Sequence, residues 1–340
     1  MVTAIGDNAL QSLTTGGYGV AIGRLAMQAE TATTDFVSIG NLSGQYQNKG
    51  AVAYNTYVGH TAGRYNVVGT NNTYIGHSAG ENRRGSANTA VGQGAMENLT
   101  FGTNNVAVGI SAMSYTSGSY NAVVGGYAGR FATGSYNTFM GYEAGYGGNN
   151  SAPYSSGQYN TAVGFQALKG FTTGQTNVAI GGYAGASVSS GQKNVAIGYT
   201  SLNYLTDGTD SVAVGYHAGY YGTGSYNTFV GSEAGKGGTT SAPYSSGENN
   251  VAIGYQAFDA FTTGYYNTVV GKSAGTSITT GFSNVYLGYN AGYRGTTGRG
   301  NVAVGSAAQF GVSTQTTGQY NVSLGENSLF GLTTGNHNFA

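Results

Sequence analysis

Few side chains in this sequence are of the types that carry out catalysis. The four histidines are His60, His77, His217 and His337, and only His60 and His77 occupy the same position in consecutive copies of an internal repeat. A stacked pair of this kind could approach a metal ion, but two neutral ligands alone make a weak site. We therefore interpret the two histidines as a surface pair and predict no metal site.

The carboxylates are equally dispersed along the chain. Glu143 and Glu233 occupy equivalent positions five repeats apart, which is much farther than the roughly 5–10 Å that separates the two carboxylates of a glycosidase. The glycine-rich stretches contain no Gly-Lys-Ser or Gly-Lys-Thr, so they are not phosphate-binding loops. The sequence therefore predicts no catalytic residue, no cofactor and no enzymatic activity.

The charge of the chain excludes several classes of partner. Lys and Arg together number 12, as do Asp and Glu, and only 7% of the 340 residues are charged. Nucleic acids and anionic membranes both attract clustered basic residues, so we predict neither as a partner. No apolar run approaches the roughly 20 residues of a membrane-spanning helix, and we predict no membrane insertion.

Tyrosine is the side chain best suited to recognition, and there are 29 of them. An aromatic ring with a polar tip suits the surface of a sugar or a protein. Six tyrosines lie at or near one repeat position and predict a ladder of rings, for which mutual stacking is the alternative to ligand binding: Tyr142, Tyr183, Tyr199, Tyr216, Tyr255 and Tyr289. Pro153, Tyr154, Pro243 and Tyr244 lie in two insertions and are candidate receptor-binding residues.

The element that must position these side chains is a short repeat. Asn, Val or Thr, a variable residue, Val or Ile, and Gly recur in that order nineteen times, mostly at intervals of 16 or 17 residues. Alternating apolar residues predict a short strand with one buried face. In Asn177-Val178-Ala179-Ile180 we expect Val178 and Ile180 to be buried and Ala179 to face the other way. The glycine then ends the strand in a turn that a Cβ atom would disfavour.

Two positions of the repeat predict ladders of identical side chains. The first residue is Asn in fifteen of nineteen copies, and we expect each amide to bond its neighbours along the edge of the stack, in particular at Asn105, Asn121, Asn137, Asn177, Asn194, Asn250 and Asn267. The third residue after the glycine is always Ala or Ser. Its small size predicts close packing against another coil or another chain, as at Ala128, Ala144, Ala167, Ala184, Ala257 and Ala274.

The period predicts an all-β protein built as a parallel β-solenoid. Two strands of four or five residues and two turns account for one coil of 16 or 17 residues, and about 19 coils spaced by roughly 4.8 Å predict a rod on the order of 90 Å long. One coil would bury only about two Val or Ile side chains and one Ala. This thin core favours three chains around a common axis, with a monomeric solenoid as the alternative.

We expect one continuous array over residues 1–340 and an excerpt of a longer protein. Residues 1–60 are the less regular coils. Residues 135–224 and 225–315 form a duplication of five coils each, with loops at 146–157 and 236–247 that are predicted to project from one face. These loops hold the only two prolines of the chain.

The repeats resemble those of two groups of fibrous proteins. Asn105-Val106-Ala107-Val108-Gly109 and the segment from Asn250 to Phe258 look like the coils of trimeric autotransporter adhesin heads, which form a β-roll. The segments from Thr172 to Ala184 and from Thr262 to Ala274 are more similar to the shaft repeats of phage tail fibres and tailspikes. The resemblance covers almost the whole chain.

This resemblance implies a homotrimeric structural and adhesive fibre at a virion surface or outside a cell. Such a shaft would present receptor-binding loops or a tip to a host surface, with a host polysaccharide or protein as the partner. Two other functions stay open: a self-assembling extracellular filament or matrix protein, and a carbohydrate-active tailspike. The tailspike would require clustered carboxylates on one face, whereas the twelve acidic residues are scattered.

Overall fold

The computed structural model describes residues 1–15, 17–32, 35–47, 53–81, 85–98, 101–148, 154–238, 244–312 and 316–340. Within these ranges the chain forms β-strands and turns and no helix. It divides into two compact units, Met1–Thr173 and Gly174–Ala340. Each unit is a parallel β-solenoid, which confirms the all-β fold class that the repeat predicts.

The first unit contains ten short strands among its described residues. They are β1 Val2–Ile5, β2 Gly19–Ile22, β3 Phe36–Ile39, β4 Thr56–Val58, β5 Thr73–Ile75, β6 Thr89–Val91, β7 Val106–Val108, β8 Ala122–Val124, β9 Thr138–Met140 and β10 Thr161–Val163. Consecutive strands pair in parallel, with like positions of the repeat opposite each other. Ala107 of β7, for example, pairs with Ala90 of β6 and with Val123 of β8.

The second unit contains nine strands in the part of the chain that is described. They are β11 Val178–Ile180, β12 Val195–Ile197, β13 Val212–Val214, β14 Thr228–Val230, β15 Val251–Ile253, β16 Thr268–Val270, β17 Val285–Leu287, β18 Val302–Val304 and β19 Val322–Leu324. They also pair in parallel and in register, so that Ala179 lies opposite Ala196 and Ile180 opposite Ile197. Each repeat therefore supplies one rung of a parallel sheet.

The motif glycine ends each strand, as predicted. Gly254 has a φ angle of 132°, and a Cβ atom on it would lie 2.6 Å from the carbonyl oxygen of Gly271 in the next coil. The chain then turns through two left-handed residues, Gln256 at φ 52° and Phe258 at φ 57°. The described part of each coil therefore has one strand, and the expectation of two strands per coil is wrong. Tight turns take the place of the second strand, and backbone bonds such as Leu202 N–H to Ala218 O, at 3.0 Å, join these turns from coil to coil.

The middle residue of the strand faces the interior, so the predicted assignment of the two strand faces is wrong. Ala179 is 0% exposed, whereas Ile180 is 39% exposed and Val178 is half-buried. The interior of a coil also accommodates the Asn of the motif and the small residue three positions after the glycine. Large side chains from the strand or from the turns take up the remaining interior space, and the branched Val and Ile of the strand point outward.

A large interior side chain comes either from the middle of the strand or from the fourth residue after the motif glycine in many of the coils. In the five coils whose strand has Tyr or Phe in the middle, the fourth residue after the motif glycine is itself glycine: Tyr57 with Gly63, Tyr74 with Gly80, Phe139 with Gly145, Phe229 with Gly235 and Tyr286 with Gly292. A Cβ atom on Gly145 would lie 2.5 Å from the Phe139 ring. Where Leu, Met or Phe occupies the fourth position, as at Leu168 and Leu202, the middle residue is Ala or Ser. A large residue in the strand and a large residue at the fourth position thus exclude each other, while some coils, such as that of Ala213 and Gly219, carry neither.

Candidate functional site

The seven predicted ladder asparagines are buried inside the coils, and none lies at an exposed edge. Asn105, Asn121, Asn137, Asn177, Asn194, Asn250 and Asn267 are all less than 5% exposed. The Oδ1 atom of each accepts a bond from the backbone N–H of the same position in the next coil, as from Asn194 N to Asn177 Oδ1 at 3.0 Å. The Nδ2 group donates to a glycine carbonyl, as from Asn194 to Gly208 O at 2.8 Å. The ladder is therefore a structural core element whose polar atoms are satisfied within one chain.

The six predicted close-packing alanines also lie inside the coil of a single chain. Ala128, Ala144, Ala167, Ala184, Ala257 and Ala274 are 0% exposed. The backbone N–H of this residue bonds back to the motif glycine, as from Ala257 N to Gly254 O at 3.3 Å. What keeps this position small is therefore the packing within one coil, and it offers no surface to another chain.

The outward side chains of the strands form an aliphatic face in each unit. This aliphatic face consists of the first and third residues of the three-residue strands β4–β19, such as Val106 and Val108 in β7 or Val251 and Ile253 in β15, and of the second and fourth residues of β1–β3. These side chains are half-buried or exposed, and Val106 is 42% exposed. Parallel pairing in register repeats them in every coil, which produces two neighbouring columns of Val, Ile and Thr. Contiguous apolar patches of this kind are uncommon on soluble monomers.

Two columns of aromatic residues border the aliphatic face. One precedes the motif Asn, where the rings of Tyr120 and Tyr136 stack at 5.2 Å and those of Tyr136 and Tyr159 at 4.9 Å. The other follows the motif glycine, where Tyr142 stacks on Phe165 at 5.7 Å. In both columns the distances between ring centroids lie within the range of favourable aromatic pairs.

The predicted tyrosine ladder belongs mostly to the second column. Tyr142, Tyr199, Tyr216, Tyr255 and Tyr289 follow a motif glycine and are about half exposed. Tyr199 stacks on Tyr216 at 5.9 Å, and Tyr183, one position farther along its coil, meets Tyr199 edge-on at 6.0 Å. The Nζ atom of Lys272 lies 6.0 Å from the Tyr255 ring and 5.9 Å from the Tyr289 ring. Stacking thus accounts for the ladder, and the outer edges of these rings stay accessible.

The two insertion tyrosines pack back onto their own units. Tyr154 lies 5.6 Å from the Phe131 ring and 5.8 Å from the Tyr115 ring. Tyr244 lies 4.6 Å from the Tyr204 ring in the same manner. Both side chains are half-buried against these rings and do not project into solvent. Pro153 and Pro243 lie outside the described residues.

Glu143 and Glu233, the two equivalent acids, each form an ion pair. Glu143 Oε2 lies 2.7 Å from Lys169 Nζ, and Glu233 Oε1 lies 3.3 Å from Lys236 Nζ. Burial alone would raise the pKa of the Glu143 carboxyl, but hydrogen bonds from Lys169 and Gln166 outweigh it and hold this pKa below its usual range. Both carboxylates are therefore charged and paired near neutral pH, and their environment does not resemble that of a general acid.

The histidines lie among aromatic rings. His60 and His77 stack with their ring centroids 5.2 Å apart, as the repeat predicts. His217 stacks on Tyr216 at 3.8 Å, and burial, followed by the charge of Lys236, lowers the pKa of its imidazole. Among the described residues, no three His, Asp or Glu side chains are grouped so that they could hold a metal ion.

Comparison with known proteins finds no family model and no curated protein that matches this chain. A search of the described residues for a helix long and apolar enough to cross a membrane finds none. The surfaces that the structure itself offers are therefore the basis for a functional proposal.

Proposed function

We propose that this chain is a structural and adhesive segment of a homotrimeric fibre, of the kind found in phage tail fibres and surface adhesins. The observation that supports this proposal best is the aliphatic face. It repeats in every coil and consists mainly of Val, Ile and Thr side chains that are half-buried or exposed in the single chain. The sequence resemblance adds the number of chains, because the proteins with similar repeats assemble as trimers.

Association through this face would add an apolar contact between chains to the core inside each chain. Each buried CH₂ group contributes roughly 0.8 kcal/mol, and two aliphatic side chains per coil repeat this contribution along the contact. The aromatic columns would form the rim of each contact, with their polar tips in water. The aliphatic face, and not the buried alanine position, is therefore the contact that we assign to neighbouring chains.

The fibre would act by reach and rigidity and would present recognition surfaces to a host. Each coil is joined to the next by the strand ladder and by the Asn ladder, so bending it requires many backbone bonds to change together. The chain has few charges, and we place it outside a cell or on a virion, with a host polysaccharide or protein as its partner.

The proposal is tested by the mass of the chain in solution. Light scattering after size-exclusion chromatography should give three times the chain mass of 34.5 kDa. Val106→Glu places a charge on the aliphatic face and should yield monomers. Val68→Glu is the matched control, because Val68 is 43% exposed but lies in a turn, and this variant should remain trimeric.

A chain of 34.5 kDa that is monomeric at micromolar concentration would overturn the trimer. So would a trimer that survives Val106→Glu as well as it survives Val68→Glu. Far-UV circular dichroism and thermal unfolding of each variant separate a loss of association from a loss of folding.

A further inference from the structure

We propose that a groove at the turn edge of the second unit binds a neutral hexopyranose unit of a saccharide. The groove has a volume of about 330 Å³ and is lined by Ser246, Glu248, Asn249, Thr263, Tyr265 and Tyr266. This volume lies at the low end of the range of small-ligand sites, roughly 300–1,000 Å³. None of these residues belongs to a strand, but Asn249 and Tyr266 lie in the column that precedes the motif Asn and borders the aliphatic face. The groove therefore lies at the rim of the proposed contact between chains, on the side away from the strands.

An aromatic column ends at this groove. Tyr265, Phe282 and Arg299 occupy the second position before the motif Asn in consecutive coils. The Tyr265 ring stacks on Phe282 at 4.8 Å with an interplanar angle of 4°, and the Arg299 guanidinium lies 5.8 Å from the Phe282 ring on the far side. The same position one coil earlier is Glu248. The face of Tyr265 that Phe282 does not cover is therefore directed toward a carboxylate.

A pyranose ring fits this groove by its size and its chemistry. Stacked on the face of Tyr265 that Phe282 does not cover, the ring would lie beside Glu248, at roughly 4.5–7 Å from the tyrosine ring. Its C–H face would lie on the tyrosine, and its hydroxyls would donate to the two oxygens of Glu248. Asn249, Ser246 and Thr263 supply further amide and hydroxyl groups at the rim.

The walls of the groove are held in place by the backbone. Tyr266 N–H donates to Glu248 O at 3.2 Å, and Ser246 N–H donates to Thr262 O at 2.7 Å. Tyr266 is 60% exposed and meets the Tyr265 ring edge-on at 5.3 Å, which gives the groove two aromatic surfaces at a steep angle. The site is therefore preformed, and a ligand would not have to order it.

The charge of the groove selects among saccharides. Glu248 forms none of the ion pairs found among the described residues. The nearest cation in its column is Arg299, three coils away, a distance of about 14 Å at the usual strand spacing. An acidic sugar would be repelled by the free carboxylate, so the expected ligand is neutral.

The duplication provides an internal control for the site. The earlier block carries Gln158, Tyr159, Gln175 and Thr176 at the positions of Glu248, Asn249, Tyr265 and Tyr266. The backbone conformations agree, with φ angles of 57° at both Tyr159 and Asn249 and of 56° and 55° at Thr176 and Tyr266. A variant with E248Q, N249Y, Y265Q and Y266T therefore receives residues that the same coil already accepts elsewhere and should fold normally.

The inference rests on the proposed function only for the source of the saccharide, and its test uses the full chain. Maltotriose, lactose and N-acetylchitotriose serve as neutral probes, with 3′-sialyllactose as the acidic probe, in saturation-transfer NMR and titration of chemical shifts. We expect at least one neutral probe to bind with a Kd in the millimolar range or below, and sialyllactose to bind more weakly. Tyr265→Ala should weaken binding about tenfold or more. Tyr65→Ala, at an equally exposed tyrosine of the first unit, should leave it unchanged.

The four-residue exchange should abolish binding without lowering the unfolding temperature. No binding of any neutral probe at about 10 mM would overturn the proposal, as would binding that survives the exchange or that favours sialyllactose. Measuring the mass of the same sample by light scattering distinguishes failure of the saccharide proposal from failure of the fibre proposal. A trimer that binds no sugar contradicts only the groove, and a monomer that binds sugar contradicts only the fibre.

Discussion

At the scale of single residues, the side chain of each ladder asparagine forms hydrogen bonds with backbone groups of two segments of the solenoid. Its Oδ1 receives the backbone N–H of the next coil, and its Nδ2 reaches the carbonyl of a turn glycine, so a buried amide and two buried backbone groups satisfy one another. The sequence predicts that the Asn side chains form a ladder. It does not predict the glycine partner, because that carbonyl comes from a turn about 14 residues farther along the chain.

The second unit contains one natural gap in this ladder, at Ser211. Its hydroxyl still receives Asn227 N–H at 3.2 Å, but its contact with Gly224 O is lengthened to 3.4 Å, against 2.8 Å for Asn194 and Gly208 O. Ser211→Asn should restore the regular bonds and stabilise the chain by about 1 kcal/mol. Thermal unfolding should then shift upward by roughly 2–4 °C.

The reciprocal change Asn194→Ser serves as the control for the ladder, because it creates the same gap where none exists. It should lower the unfolding temperature by a similar amount. If Ser211→Asn is neutral while Asn194→Ser destabilises, the interior at Ser211 is shaped for serine and the ladder does not extend through it.

At the scale of the coil, the pairing of strand and turn residues decides how the interior is filled. Phe229 fills its coil from the strand, and Gly235 makes room for it, since a Cβ atom at Gly235 would overlap the Phe229 ring. Leu202 fills the coil two repeats earlier from the turn at φ 46°, so a side chain is compatible with this left-handed position once the strand residue is small. The two arrangements therefore exclude each other within one coil.

This pairing predicts a strong coupling between Phe229 and Gly235. Phe229→Ala alone should cost about 3–5 kcal/mol through the cavity it leaves, and Gly235→Leu alone should also destabilise, because it overpacks the coil. The double variant should recover a large part of the loss, measured as a coupling free energy in a double-mutant cycle of urea unfolding. Additive losses in the double variant would contradict the alternative-filling model.

The same pairing explains which parts of the coil the sequence predicts and which it does not. The motif locates the strands and the glycine turns correctly, because these follow from local backbone geometry. The inward face is assigned wrongly, because an alternation of Ala with Val and Ile is apolar on both faces and its size alone favours burying Val and Ile. Tyr or Phe in the middle of the strand always occurs with Gly at the fourth position, and Leu, Met or Phe at the fourth position always occurs with Ala or Ser in the strand. This pattern is visible in the sequence and indicates that the middle residue is the inward one.

Of the candidate sites, too, the sequence predicts some and misses others. The tyrosine ladder is visible from the repeat because identical positions stack. The groove at Tyr265 and Tyr266 is not, since its residues come from two coils and none belongs to the motif. Comparison of the duplicated blocks, where Gln175-Thr176 becomes Tyr265-Tyr266, is the signal that could have identified it.

At the scale of the whole molecule, the low charge determines what kind of force can hold chains together. Only 24 of the 340 residues are charged, 12 of each sign, and the three ion pairs among the described residues each join side chains of one chain. Electrostatic complementarity is therefore a poor candidate for the contact between copies. In the proposed fibre, burial of the aliphatic face would supply the association energy, and this contribution is insensitive to screening.

Assembly should accordingly be independent of salt. Between about 0.05 M and 1 M NaCl the Debye length falls from roughly 14 Å to 3 Å, which removes most surface charge interactions, while apolar burial is unchanged or slightly strengthened. Sedimentation or light scattering should give the same trimer mass across this range for the natural chain. Dissociation as salt rises would show that charged residues carry the contact, and it would exclude the aliphatic face as the main interface. Association of Val106→Glu should stay impaired at every salt concentration, because the cost of burying its carboxylate is a desolvation penalty that screening does not relieve.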